Sequence, residues 1–204
     1  MAVTRRAPAY EDLIDELAKL PGIGRRSAER IALHLLRQPA AAAAALSDAL
    51  RRFRTDLKVC SVTGFVSDSD PCSFVTDPDR DQSVILVVEQ PSDVISIEQT
   101  GSYRGSYHVL MGRVAPLDAM GPGDLNIASL VDRIKAGGVR EVILGTNPTL
   151  EGDGTALVLS DKLAALGVQV TRLARGMPTG SSFDNVSKAV LADAITSRRA
   201  MEGR

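Results

Sequence analysis

The sequence predicts an α/β protein in which a helical N-terminal region precedes a mainly parallel sheet flanked by helices. Three observations lead to this prediction. Apolar residues recur at helical spacing through residues 10–57, and short β-branched runs alternate with helical patterns through residues 83–173. Of the 204 residues, 44% are apolar and 24% are charged, a balance that excludes a disordered or fibrous chain. Alternating strands and helices favour a parallel sheet with helices on both faces.

The first two predicted helices are separated by a glycine turn. The first covers about residues 10–20, and its apolar face is formed by Leu13, Ile14, Leu17 and Leu20. The second covers about residues 25–36 and is expected to bury Ala28, Ile31, Ala32 and Leu35. Between them lies Pro21-Gly22-Ile23-Gly24, a tight turn whose two glycines permit a positive φ and leave the backbone amides unshielded.

The turn and the start of the second helix form a candidate anion site. The first amides of a helix lack intrahelical partners, and the helix dipole favours negative charge there. Cations fill this first turn, where a purely structural helix would prefer acids, and further cations follow along the helix. The predicted DNA-binding residues are Gly22, Gly24, Arg25, Arg26, Arg30 and Arg37. A plain helical hairpin with solvated arginines is the alternative.

The charge distribution agrees with a DNA-binding N-terminal part. Residues 1–60 carry 11 Lys and Arg against 7 Asp and Glu, a net +4, whereas residues 61–204 carry 13 against 18, a net −5. A third helix is predicted from Ala40 to Leu57, and four of these basic residues belong to it or follow it directly: Arg51, Arg52, Arg54 and Lys58. This asymmetry suggests a head that binds a polyanion and an acidic body, although chance variation of surface charge gives the same numbers.

The remaining elements alternate between strand and helix. Strands are predicted at residues 83–88, 107–110, 142–144 and 168–173. Helices are predicted after a cap at Ser92-Asp93, from residue 124 to about 136, over residues 155–166, and from Val186 to about Arg199. In such a sheet the functional edge lies beyond the carboxyl ends of the strands, where Glu89 and residues 145–154 fall.

Several motifs resemble the RecR family of bacterial recombination mediators. The helix-hairpin-helix segment of residues 20–30 resembles the start of that family. Four further segments match in order and spacing, so that the resemblance covers nearly the whole chain: residues 100–110, residues 116–122, Gly145-Thr146-Asn147-Pro148-Thr149-Leu150-Glu151-Gly152, and residues 171–178. The resemblance implies a Toprim domain, the module shared with topoisomerases and primases.

The two cysteines stand where the family has a four-cysteine zinc knuckle. Cys60 and Cys72 are present, but Thr63 and Val75 occupy the second position of each pair. Two thiols cannot supply a tetrahedral zinc site, so we expect Cys60 and Cys72 to be remnants of one and the module to fold without zinc. A mixed site completed by Asp68 and Asp70 is the alternative.

The Toprim resemblance raises the alternative of a magnesium-dependent nuclease or primase-like enzyme. Enzymatic Toprim domains hold magnesium with a glutamate and an Asp-x-Asp-x-x-Gly motif, since hard cations need clustered carboxylates. Here Glu89 matches the glutamate, but Asn147 and Thr149 replace both aspartates. We therefore expect no magnesium cofactor and no catalytic residues. The resemblance implies that Glu89 and Asp93 contact a basic partner protein.

The sequence thus predicts four regions and a non-enzymatic function. The regions are a helix-hairpin-helix DNA-binding region (1–58), a degenerate zinc-finger-like module (59–80), a Toprim-like domain (81–178) and a C-terminal segment with a helix (179–204). The resemblance implies a scaffold that acts with RecO-like and RecF-like proteins to promote RecA loading on gapped or single-stranded DNA. It also implies a homo-oligomer, either a dimer or a ring tetramer. Neither a membrane span nor a signal peptide is recognisable, so we expect a cytoplasmic protein.

Overall fold

The computed structural model describes residues 7–198 and residue 200. The chain divides into two compact units, with the boundary between Leu57 and Lys58. Within the described residues the first unit consists of three helices: α1 (Pro8–Ala18), α2 (Arg25–Arg37) and α3 (Ala40–Asp56). Their small core is formed by Ile14, Ala28 and Ala32. None of the residues of α3 is buried, although the predicted third helix is confirmed.

The second unit begins with a small loop module. Two antiparallel strands of two residues each, β1 (Lys58–Val59) and β2 (Val66–Ser67), precede the one-turn helix α4 (Ser73–Thr76). Elements this short leave no periodic pattern in a sequence, so sequence analysis could predict only a loop here. The aromatic rings of Phe65 and Phe74 pack edge to face with centroids 5.0 Å apart. This contact supplies part of the module's apolar core.

A four-stranded parallel sheet forms the centre of the second unit. Its strands are β3 (Asp81–Val88), β4 (Gly105–Val109), β5 (Glu141–Leu144) and β6 (Gln169–Arg172). They lie side by side in the order β4-β3-β5-β6, and each neighbouring pair is parallel. All four carboxyl ends therefore meet at one edge, which we call the carboxyl edge. The predicted fold class is confirmed.

In the described part of the chain, each of the four strands of the sheet is followed by an α-helix. These helices are α5 (Pro91–Glu98), α6 (Ile127–Lys135), α7 (Leu150–Ala164) and α8 (Lys188–Thr196). Alternate residues of β3 point to opposite faces of the sheet. Ile85 and Val87 pack in a cluster with residues of α6 and α7, whereas Leu86 and Val88 pack with Val94 of α5. The sheet is therefore covered on both faces, as the alternation of strands and helices predicted.

The bounds of several helices differ from the predicted ones. Helix α7 begins at Leu150, five residues before the predicted start, because Thr149 caps it and two early glycines conceal the helical pattern. Helix α8 runs from Lys188 to Thr196, so it is shorter than predicted at both ends, and Arg199 lies outside the described residues. Across the described part of the chain, no helix combines the length and the apolar character needed to cross a membrane.

Candidate nucleic-acid interface and carboxyl edge

The hairpin between α1 and α2 uses its two glycines differently. Gly22 has a φ of +77°, a left-handed conformation that other residues adopt only with strain. Gly24 has a φ of −80° and forms the N-cap of α2, so only Gly22 uses the positive φ that both glycines permit. A Cβ at Gly24 would meet nothing within 4 Å. Its role is therefore to leave the start of α2 open.

The start of α2 has the properties of an anion site. No side chain among the described residues caps it, and its first turn contains no acid. The first intrahelical bond joins the amide of Ala28 to the carbonyl of Gly24 at 3.0 Å, which leaves the preceding helical amides without an intrahelical acceptor. The positive end of the dipole thus coincides with the cations of Arg25 and Arg26, a combination that favours a phosphate.

The four predicted DNA-binding arginines fall into two groups. Arg25 is 55% exposed but forms ion pairs with Glu11 and with Asp15, the latter at 2.7 Å, and so links α2 to α1. The other three arginines are exposed and make no ion pair with any residue that the structure describes; these are Arg26, Arg30 and Arg37. They are available to an external anion, and the DNA-binding role of the six residues stays a prediction.

A hydroxyl stands between the two thiols of the loop module. The hydroxyl of Thr63, which is fully buried, lies 3.2 Å from Sγ of Cys72, and the amide of Cys72 donates to Sγ of Cys60 at 3.3 Å. Burial raises the pKa of the Cys72 thiol. Burial acts on Cys60 too, but hydrogen bonds from Thr63 and from backbone amides outweigh it and lower the pKa of that thiol. Thr63, which stands where the family has a cysteine, therefore links Cys60 and Cys72 through hydrogen bonds.

The mixed metal site with acidic residues finds no support in the geometry. Asp70 accepts hydrogen bonds from the amide and the hydroxyl of Ser61 at 2.8 and 2.9 Å, so it closes a turn. Within residues 7–198 and residue 200, no three His, Cys, Asp or Glu side chains are grouped so that they could hold a metal ion. The Asp70 carboxylate also interacts with the Cys60 thiol, and the metal-free state of the module stays a prediction.

Glu89 lies at the carboxyl edge and is held by a residue from the neighbouring strand. Glu89 is the first residue after β3, and it is only 2% exposed. One carboxylate oxygen accepts from the backbone amide of Asn147 at 2.8 Å, and the other accepts from its side-chain amide at 2.9 Å. Asn147 follows β5, so the pair joins the ends of two adjacent strands.

The donors at this edge do not fit magnesium. Both oxygens of Glu89 already accept hydrogen bonds from Asn147, whose amide presents NH groups where a cation needs an oxygen. The hydroxyl of Thr149 accepts from the amide of Gly152 at 3.1 Å and so caps α7. The replacements of the two motif aspartates therefore serve local structure.

Asp93 belongs to the cap of α5. The N-cap is Gln90, not the predicted Ser92-Asp93, because the Gln90 and Asp93 side chains form a reciprocal capping box. The Asp93 carboxylate accepts from the amide of Gln90 at 2.8 Å. Both predicted partner contacts, Glu89 and Asp93, thus take part in intramolecular hydrogen bonds, and their contact with a partner stays a prediction.

A cluster of ion pairs at the end of β6 was not predicted from the sequence. Asp153 on α7 pairs with Arg172 at 2.5 Å and also with Arg175. Hydrogen bonds from Arg175 and Arg172 lower the pKa of Asp153 to about 2. Both arginines lie in residues 171–178, a segment that resembles the family. Asp153 precedes them by 19 and 22 residues, so no local pattern in the sequence predicts these ion pairs.

Gly152 makes the contact between Glu89 and Asn147 possible. A Cβ at this position would lie 2.1 Å from the backbone oxygen of Asn147 and 2.9 Å from a carboxylate oxygen of Glu89. We expect Gly152→Ala to destabilise the protein by about 2 kcal/mol, the clash outweighing the higher helix propensity of alanine. Gly154 on the same helix is the control, since its Cβ would meet nothing within 4 Å and alanine there should stabilise. Equal denaturation midpoints for the two variants would contradict this prediction.

Both units match known protein families. The model described as "RecR, helix-hairpin-helix" matches residues 10–54, and the Toprim domain model matches residues 83–174. Curated relatives named Recombination protein RecR match nearly the whole chain, and three of them illustrate the similarity. The one from Rhodopirellula baltica is 50% identical over 95% of this chain and 97% of its own length. That from Desulforudis audaxviator is 49% identical over 92% and 94%, and that from Koribacter versatilis is 46% identical over 94% of each chain. With half of its residues shared along nearly its entire length, the chain belongs to the RecR family of recombination proteins.

Proposed function

We propose that this chain is a non-enzymatic DNA-binding scaffold in recombinational repair. In this role it acts with RecO-like and RecF-like proteins to promote RecA loading on gapped or single-stranded DNA. The observation that carries the proposal is the start of α2 beside Gly22, where no side chain among the described residues forms a cap. Arg26 and Arg30 lie within one and a half turns of it, are exposed and form no ion pair with a described residue. Backbone amides and arginines at one helix end suit a phosphate rather than a base edge, so binding should be independent of sequence.

The arginine pair supplies the test of DNA binding. The double variant Arg26→Ala/Arg30→Ala should bind single-stranded and gapped DNA more weakly for every sequence. The slope of log affinity against log salt should fall by roughly 2, since each arginine neutralises about one phosphate. Fluorescence anisotropy over a salt series measures both quantities.

A charge-matched control separates the site from general electrostatics. Arg104 and Arg113 are exposed residues of the second unit, and replacing both with alanine removes the same net charge. This control should retain most of the affinity and the salt slope. If it weakens binding as much as the hairpin variant does, DNA binding lies elsewhere.

Self-association completes the proposed scaffold. One hairpin offers few phosphate contacts, so repetition around a dimer or ring tetramer would raise the affinity. The first unit presents an apolar groove lined by leucines of all three helices, which supports this proposal: Leu13, Leu33, Leu36, Leu46 and Leu50. Light scattering with and without DNA tests assembly and binding together, and a monomer under both conditions would contradict it.

The absence of phosphoryl transfer is part of the proposal. Its support is the hydrogen bonding of Glu89 to Asn147, together with Thr149 in place of the second motif acid. DNA incubated with the protein and magnesium should therefore remain uncleaved and unextended. Magnesium-dependent cleavage that disappears in Glu89→Gln would favour an enzyme instead.

A further inference from the structure

The two cysteines of the chain, Cys60 and Cys72, form a buried dithiol. The amide of Cys72 donates to Sγ of Cys60 at 3.3 Å, and the two thiols share a hydrogen bond. The hydroxyl of Thr63 lies 3.2 Å from Sγ of Cys72 and also hydrogen-bonds the Cys60 thiol. Two thiols at hydrogen-bond distance need only a small side-chain movement to form a disulfide.

A guanidinium near the dithiol has no acidic partner among the described residues. The hydrogen bonds of Arg133 on α6 go to neutral oxygens there, the shortest to Oγ of Ser106 at 2.6 Å. Burial lowers the pKa of Arg133, whereas negative charge on nearby groups, first among them Cys60, opposes this effect. Arg133 thus favours a thiolate at Cys60, and the carboxylate of Asp70 on the other side of that thiol acts against it.

We propose that Cys60 and Cys72 are a redox-sensitive modification site, which hydrogen peroxide converts to an intramolecular disulfide and a dithiol reductant reopens. The inference goes beyond the proposed function and does not depend on DNA binding. It requires only that the module holds no zinc. The disulfide joins β1 to the start of α4, the connection for which the family resemblance implies a zinc ion.

Burial selects the oxidant and the product. Both cysteines are only 1% exposed, so a bulky oxidant or a second protein is kept from the sulfurs. The module consists of two-residue strands and a one-turn helix, elements with few contacts that open locally at low cost. A molecule as small as hydrogen peroxide enters during such openings, and the adjacent thiol then captures the oxidised sulfur inside the module.

The reaction consumes one peroxide and two thiols. The Cys60 thiolate attacks one peroxide oxygen, the O–O bond breaks and hydroxide leaves, so that the sulfur becomes a sulfenic acid. Sγ of Cys72 then attacks this sulfur, the S–O bond breaks and a second hydroxide leaves. The two hydroxides take up the two thiol protons. One disulfide and two waters are formed, and each cysteine loses one electron.

Intact mass spectrometry of the reduced full chain before and after hydrogen peroxide tests the inference. Since the chain has two cysteines, one intramolecular disulfide removes both free thiols and lowers the mass by about 2 Da. Dithiothreitol should restore both thiols. Two free thiols after treatment, a mass gain of about 32 Da from a sulfinic acid, or a disulfide-linked dimer instead would overturn the inference. Stoichiometric zinc on the reduced protein would overturn it too.

Single serine variants assign the roles of the two sulfurs. Cys72→Ser keeps the attacking thiol, so Cys60 should form a sulfenic acid that dimedone captures. Cys60→Ser leaves Cys72, whose pKa is raised by burial, and this variant should react with peroxide about tenfold more slowly. The opposite order of reactivity would overturn the assignment of Cys60 as the attacking thiol.

Hydrogen exchange tests whether the disulfide closes the module. The amide of Cys60 donates to the backbone oxygen of Phe65 at 2.8 Å, and the amide of Gly64 donates to that of Cys60 at 2.9 Å. Both amides should exchange more slowly in the oxidised protein because the disulfide restricts local opening, whereas exchange in α2 should stay unchanged. Faster exchange at Cys60 and Gly64 would overturn the role of the disulfide as a crosslink.

Discussion

The double variant Thr63→Cys/Val75→Cys should bind one zinc ion per chain, whereas the unmodified protein should bind far less than one. Thr63 already lies beside both remaining thiols, with its hydroxyl 3.2 Å from Sγ of Cys72. Val75 lies three residues after Cys72, in the one-turn helix α4 of which Cys72 is the N-cap. The variant therefore supplies four thiolates in two Cys-x-x-Cys pairs, the donor set of a structural zinc site. Metal analysis by mass spectrometry measures the stoichiometry directly.

A chelator should destabilise the double variant but not the unmodified protein. The thermal midpoint of the unmodified protein should not change with a chelator, because Thr63 joins Cys60 and Cys72 through hydrogen bonds. The double variant should lose stability when zinc is removed, since it then buries two further thiols without the ion, and structural zinc contributes on the order of 10 kcal/mol to such modules. The single variant Thr63→Cys is the control and should bind zinc weakly. Stoichiometric zinc in the unmodified protein would contradict the metal-free module.

The parts of the fold that the sequence predicted are those set by local pattern. The hairpin was predictable because Gly22 and the arginines of α2 are close in sequence and each has a local physical meaning. The parallel direction of the strands was predictable, since β-branched runs alternating with helices imply a parallel sheet, whereas their order was not predicted. Helix α7 shows the limit, because Gly152 and Gly154 weaken its pattern and its early start depends on the Thr149 cap.

The carboxyl edge was less predictable because its contacts join residues far apart in the chain. The family resemblance implies that Glu89 contacts a partner protein, yet the residue is buried and accepts hydrogen bonds from Asn147, 58 residues later. The role of Gln90 as an N-cap was also missed, although the Gln-Pro-x-Asp spacing of a capping box is visible in the sequence. The thiol network required the folded loop, since nothing local shows that Thr63 turns inward.

His108 is a buried histidine with an incomplete set of hydrogen bonds. His108 lies on β4 and is fully buried, and its Nε2 donates to the backbone oxygen of Asn126 at 2.6 Å. In the described part of the chain, Nδ1 has no hydrogen-bond partner. Burial and, to a smaller extent, the nearby charge of Arg133 lower the pKa of His108 to about 4, against the opposing effects of the hydrogen bond to Asn126 and of the nearby backbone of Val62. The neutral imidazole is therefore the form that the folded protein accepts.

The free energy of unfolding should fall as the pH decreases from about 7.5 to about 4. An unfolded histidine takes up a proton near pH 6.5, whereas folded His108 does so only near its pKa of about 4. The full effect is about 3 kcal/mol, of which about 2 kcal/mol should be lost by pH 5, before most carboxylates titrate. Urea denaturation at pH 7.5 and pH 5 measures this loss of unfolding free energy.

Two glutamine variants serve as controls for this prediction. His108→Gln should remove most of this fall, whereas His34→Gln should not, because His34 is exposed on α2. The same fall in His108→Gln would show that another group causes it.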